Sequence, residues 1–184
     1  MTCIVGTRSR KGVILGGDSL ASSGLEREVR KDPKVGIVGE YVFGYSGSYR
    51  MGQVLLYDFD PPEPDRKTGP EVFEFLVTEF IPTLREAMSG AGVTKLDSSV
   101  EELGGANFLL GVYGHLFYVD DDYQVGWPST PYWSIGSGRE YATGAMYTAY
   151  KAKKRGEDLL SVGLTAAEAF NSGVGGPFTY ESNY

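Results

Sequence analysis

Apolar positions in the first fifty residues come in short β-branched runs broken by turn residues. Residues 2–8 (TCIVGTR) and 12–18 (GVILGGD) form two such runs with the turn signal SRKG between them, and they predict an antiparallel hairpin. A second pair is predicted over residues 34–38 and 41–45, joined through Gly39 and Glu40 and closed by SGSYRMG. Residues 49–57 carry a short helical pattern, which the proline-rich loop DFDPPEPDRKTGP ends. From Pro70 onward, Val72, Phe73, Leu76, Phe80 and Leu84 recur on one helical face; Pro82 is expected to kink or restart that helix, and SGAG to finish it.

Residues 94–105 read as a mobile acidic loop. A third β pair follows over residues 106–113 and 116–120, around Gly114 and His115, and a last short strand runs into residues 134–136. Ala142, Ala145, Met146 and Ala149 then share a face of small side chains suited to close packing on a sheet. A final helix over residues 156–170 carries Leu159, Leu160, Ala166, Ala167 and Phe170. The order is strands, two helices, strands, two helices, without βαβ alternation. It predicts an α+β domain over residues 1–184 in which antiparallel sheets are covered by helices.

Composition narrows the function. With 41% hydrophobic and 22% charged residues, the chain belongs with globular proteins that bury a core. The 17 Lys and Arg are outnumbered by 24 Asp and Glu, giving a net charge of −7, which argues against a protein that tracks nucleic-acid phosphates. The one basic run, KAKKR at residues 151–155, reads as the solvated end of a helix, where cations meet the negative end of the dipole. A single Cys and a single His exclude a disulfide framework and leave no Cys/His cluster for zinc; Cys3 reads as a strand residue. No secretory pattern and no membrane-length apolar stretch is present, so the expectation is a cytoplasmic protein without membrane or nucleic-acid partners.

Few catalytic schemes remain. A Ser/His/Asp triad would hang on His115, which sits in a hairpin turn, and GSGREYATG leads into a helix without the lysine of a phosphate loop. An α-amino group, with a reference pKa of about 7.7–8.0, is the amine most available as a base near neutrality. Thr2 stands directly behind Met1, so removal of Met1 would place such an amine beside a hydroxyl on one residue, a recognised nucleophile–base pairing.

TCIVG, GVILGGDS, the Lys34 block, GYSG and the late IGSG, in this order, resemble the signature of proteasome β-type peptidases, particularly the bacterial HslV type. Asp18 and Lys34 follow Thr2 by 16 and 32 residues, as that pattern has them. The resemblance implies an N-terminal nucleophile hydrolase with a four-layer αββα sandwich. It implies Thr2 as nucleophile, Lys34 as the cation beside it, Asp18 as the partner of Lys34, Gly47 as oxyanion donor and Ser137 as a member of the proton relay.

The same resemblance places Ala21, Tyr45, Tyr49 and Gln53 around the side chain before the cleaved bond, and backbone carbonyls of Gly173, Gly176 and Thr179 around an alkali cation, Na+ or K+. It implies stacked homo-oligomeric rings, unfolded polypeptide as substrate and an AAA+ unfoldase ring as partner. One departure is clear: where many β subunits carry an aspartate near the end, this chain has Asn171 and Ser172. Three other readings compete: an inactive ring or shell protein that keeps Met1, a tyrosine-rich glycan-binding sandwich, and a related hydrolase of small amides.

Overall fold

The computed structural model describes residues 1–23, 25–97 and 100–184. β1 (Cys3–Ser9) and β2 (Gly12–Gly17) form the expected hairpin, followed by a second one, β3 (Leu20–Ser23) and β4 (Glu26–Val29). β5 (Val35–Val38) pairs with β6 (Tyr41–Ser46), which hands over to α1 (Tyr49–Tyr57) through Ser48; the Ser48 hydroxyl accepts from Met51 N at 3.3 Å and so caps the helix. After α2 (Gly69–Phe75) and α3 (Ile81–Gly90) come β7 (Lys95–Asp97) and β8 (Val100–Glu102), then β9 (Asn107–Val112), β10 (His115–Val119), β11 (Val125–Gly126) and β12 (Tyr132–Gly136). α4 (Arg139–Lys151), α5 (Gly156–Phe170) and β13 (Thr179–Ser182) complete the chain.

The strands assemble into a four-stranded sheet in the order β12-β1-β2-β13 and a five-stranded sheet in the order β11-β10-β9-β6-β5, antiparallel throughout. Side chains on a strand alternate between faces, and here both faces are buried. Ile4, Val13 and Leu15 of one sheet meet Val35, Val42, Leu109 and Leu116 of the other in the central layer. Cys3, Val5 and Ile14 point the opposite way, into a layer closed by Ala142, Met146, Leu160 and Leu164 of α4 and α5. Tyr41, Phe43, Phe108 and Phe117 face outward from the second sheet against Leu55, Leu76, Phe80 and Leu84. The result is the expected αββα sandwich. Gly111 lets the sheets approach, since a Cβ there would fall 2.4 Å from Val13 Cβ.

Several expectations are corrected. Pro82 does mark a restart, and the unexpected part lies before it: Leu76–Phe80 form a π-helical turn, with the Ile81 amide donating to Leu76 O, and the α-helix resumes over Ile81–Gly90 with Pro82 in its first turn, so residues 69–90 stay helical. Residues 94–105 contain β7 and β8 rather than only a loop, with Ser98 and Ser99 outside the described residues. Phe170 is 73% exposed, its ring 5.8 Å from that of Tyr141, because it ends α5 beyond Ala167, which is still buried; Ala145 and Ala166 are half-buried. The KAKKR run is, as read, the exposed end of α4. Among the described residues no helix is long and apolar enough to cross a membrane.

The two sheets are also joined near the chain's end. Asn183 Oδ1 accepts from Val13 N at 3.1 Å, while its Nδ2 donates to Glu40 O at 2.9 Å and Gly111 O at 3.0 Å. Replacing Asn183 by Ala removes all three bonds, and urea denaturation is expected to show a loss of about 1–3 kcal/mol.

Candidate active site

Thr2 lies at the head of β1 and is almost fully buried. Pairing of β1 with β12 sets Cys3 opposite Gly136 and brings the GSG turn onto Thr2. Ser137 Oγ accepts from Thr2 N at 3.2 Å and donates to Thr2 O at 3.3 Å, and Gly138 N donates to the same carbonyl at 3.2 Å. Gly136 has a φ of +90° and a Cβ there would fall 2.4 Å from Thr2 O, so only glycine lets the turn close this tightly. The Thr2 hydroxyl donates to Met1 O at 2.6 Å.

Next to Thr2, Asp18 follows directly on β2 and has no exposed surface. Its Oδ1 accepts from Cys3 N at 2.9 Å and from Lys34 Nζ at 2.9 Å; its Oδ2 accepts from Leu20 N at 3.2 Å and Gly175 N at 3.3 Å. Lys34, 1% exposed, also donates to Leu20 O at 2.7 Å. Burial draws the Lys34 ammonium below the usual lysine range, and the charge and hydrogen bond of Asp18 work against that shift. One carboxylate oxygen therefore ties the Lys34 charge to the backbone amide that follows Thr2. Burial, reinforced by Asp18, pushes the Cys3 thiol up to about 12, which keeps it an inert core group.

Gly47 sits between β6 and α1 with a φ of +101°, and a Cβ on it would fall 2.8 Å from Ala106 Cα, so the turn requires glycine. It lines two cavities that meet at Met1. One, of about 430 Å³, is bounded by Met1, Gly47, Asn107, Ser137, Arg139 and Glu140 among others. The second, of about 290 Å³, has Met1, Ala21, Glu26, Glu28, Arg30 and Tyr49 in its wall.

Thr2, Asp18, Lys34 and Ser137 are thus brought together, and Gly47 borders the same cleft. Ala21 and Tyr49 line the second cavity. Tyr45 and Gln53 do not: Tyr45 is core, packed on Gly52 and edge-on to Tyr49 at 6.0 Å, and Gln53 lies half-buried on α1 outside the cavity wall. A period-2 reading of β6 puts Tyr45 on the helix side with Tyr41 and Phe43, which explains its place. His115 bonds Lys67 O at 3.1 Å and packs on Trp127 and Phe117, a hairpin residue as expected.

Gly173, Gly176 and Thr179 fall on the segment between α5 and β13. The Gly173 amide donates to Asn171 Oδ1 at 2.9 Å, the Gly176 amide to Glu168 Oε1 at 2.8 Å, and the Thr179 hydroxyl is buried without a partner among the described residues. Among the described residues no group of three or more His, Cys, Asp and Glu is placed to hold a metal ion.

Sequence reasoning left two contributors without a role. Asn171 Nδ2 donates to Ser137 O at 2.8 Å and so fixes the GSG turn. Arg30 forms a bidentate pair with Asp32, at 2.9 and 2.8 Å, and stands 4.2 Å over the Tyr49 ring. The side chain of Asn171 had a legible signal only as a departure from the expected aspartate; that of Arg30 had none.

No protein-family model matches the chain, and no curated protein matches it. Solved structures do. BPH of Thiobacillus denitrificans, in a complex with epoxomicin, superposes with a TM-score of 0.78 at 22% identity over 98% of this chain and 97% of that one. HslV from Trypanosoma brucei gives 0.71 at 18% identity over 98% of each chain. Anbu, an ancestral β-subunit from Yersinia bercovieri, gives 0.69 at 17% identity over 98% of this chain and 81% of that one. The chain has the fold that BPH, HslV and Anbu share.

Three outcomes follow from these groups. Lys34→Ala strands the Asp18 carboxylate and is expected to cost about 3–5 kcal/mol in urea denaturation. Arg30→Ala, at a partly exposed pair, should cost under about 1 kcal/mol. Cys3 is expected to resist iodoacetamide at pH 8 in the folded protein and to react fully once denatured, as intact-mass measurement would show.

Proposed function

We propose that this chain is a threonine peptidase subunit, with Thr2 as the nucleophile once Met1 has been removed. The observation that carries the reading is the convergence on Thr2 of the Ser137 hydroxyl, the GSG turn and the Asp18–Lys34 pair, directly behind Met1, which two cavities share in their walls. While Met1 is attached, Thr2 N is an amide without a basic lone pair. After its removal that nitrogen, still beside Ser137 Oγ, accepts the hydroxyl proton, directly or through water.

Thr2 Oγ1 then attacks the peptide carbonyl and the C–O bond forms. The tetrahedral oxyanion is held by backbone N–H donation at Gly47, at the positive end of α1. Collapse breaks the C–N bond, and the proton held on the α-amine goes to the departing amine. Water hydrolyses the resulting ester by the reverse transfers. Lys34 keeps a positive charge close by, which favours an unprotonated α-amine and developing negative charge on the threonine oxygen.

The shared fold with HslV supports assembly into stacked homo-oligomeric rings, unfolded polypeptide as substrate and an AAA+ unfoldase ring as partner. Carbonyls of Gly173, Gly176 and Thr179 would hold Na+ or K+, and the unpartnered Thr179 hydroxyl supports a ligand there. A cytoplasmic setting agrees with this reading.

A second reading, an inactive ring or shell protein that keeps Met1, rests on the seat that Met1 occupies. A Cβ on Gly173 would fall 2.2 Å from Met1 Cβ, and the Thr2 hydroxyl is engaged by the Met1 carbonyl. Intact-mass spectrometry of the protein from its native source, before and after incubation with a peptide boronate or β-lactone, separates the two. The peptidase reading expects loss of one methionine, one adduct per chain on Thr2, and a fall in peptide hydrolysis of at least about a thousandfold in Thr2→Ala. Retained methionine with no adduct overturns it.

A further inference from the structure

The pairing of β3 with β4 sets Ala21 opposite Glu28 and Ser22 opposite Arg27. Directly opposed residues in an antiparallel pair share a face, and the face changes with each residue. Ala21, Glu26 and Glu28 therefore point one way, while Arg27 points the other, toward Gly175. Ala21, Glu26 and Glu28 line the 290 Å³ cavity, which also takes in Ser22 and, next to Thr2 in the chain, Met1.

Charge in that cavity is unbalanced. Among the described residues its one cationic side chain, Arg30, is already engaged by Asp32 on two hydrogen bonds and by the Tyr49 ring. Glu26 and Glu28 are exposed and have no cation within salt-bridge distance among the described residues. The aromatic wall is Tyr49, whose hydroxyl is sealed from solvent without a partner among the described residues. Across Met1 the larger cavity carries one charge of each sign, Arg139 and Glu140, so the chain's overall acidity does not account for the asymmetry. An aromatic and aliphatic wall ending in two free carboxylates suits a side chain with a long apolar stem and a cationic head.

We infer that Glu26 and Glu28 set the specificity of this cleft, selecting polypeptides with Lys or Arg in the residue that enters the Ala21–Tyr49 cavity. This rests on the cleft being the peptide-binding site of the proposed peptidase, and deepens that reading by naming the substrate class.

Binding without chemistry tests it. The Thr2→Ala protein lacking Met1 is titrated calorimetrically with N-acetyl tripeptide amides that differ only in a last residue of Arg, Leu or Glu. The Arg peptide is expected to bind about tenfold or more tighter than the Leu peptide, the Glu peptide weakest, with the difference shrinking as salt is raised. Glu26→Gln combined with Glu28→Gln should bring the Arg and Leu peptides together while leaving the melting temperature unchanged, since both side chains are exposed. Equal affinities, no binding by any peptide, or an Arg preference that survives the double substitution would each overturn the inference. Adduct formation on Thr2 in the parent protein is read separately, so the peptidase reading stands or falls on its own result.

Discussion

The buried carboxylate of Asp18 is the constraint around which the site is organised. A charge withdrawn from water is tolerated only where hydrogen bonds replace the lost solvation, and Asp18 receives four: from Cys3 N, Leu20 N, Gly175 N and Lys34 Nζ. Each donor belongs to a different part of the chain. The first hairpin, the start of β3, the segment after α5 and the residue before β5 are thereby fixed relative to one another. Thr2 inherits its position from this arrangement, because the Cys3 amide shares an oxygen with Lys34.

The sandwich supplies the rigidity such a site needs. Strands buried on both faces cannot slip by one residue without exchanging an inter-sheet side chain for a helix-facing one, so the register of β1 against β2 and β12 is strongly specified. That register delivers Ser137 and Gly138 to the Thr2 carbonyl. Packing in the central layer and proton chemistry at its edge are therefore set by the same alternation of side chains.

Much of this was legible in the sequence because it rests on periodicity or on turn chemistry. The major strands and the apolar faces of the helices follow from spacing, and Thr2, Asp18, Lys34, Gly47 and Ser137 stood out once ordered against a known pattern. What escaped was short or polar. β4, with the sequence EREV, is exposed on every residue and carries no apolar alternation, and β3 is only four residues long. Tyr45 and Phe170 misled for another reason: an aromatic residue fits a pocket rim, a core or an open surface equally well, and only its face on the folded element decides. Pro82 announced the restart of its helix, but nothing in the residue types announced the widened turn that precedes it.

Asn171, at the place where an aspartate was expected, is understood from what surrounds it. Its neighbours present one acceptor, Ser137 O, and one donor, Gly173 N. A carboxamide satisfies both at once, through Nδ2 and Oδ1, whereas an ionised carboxylate offers acceptors alone and would face the Ser137 carbonyl with like partial charge. The GSG turn is thus held by a neutral group that satisfies both of its neighbours. Asp18 and Lys34 remain the charged pair next to Thr2, with the amide of Asn171 acting on the turn from the opposite side.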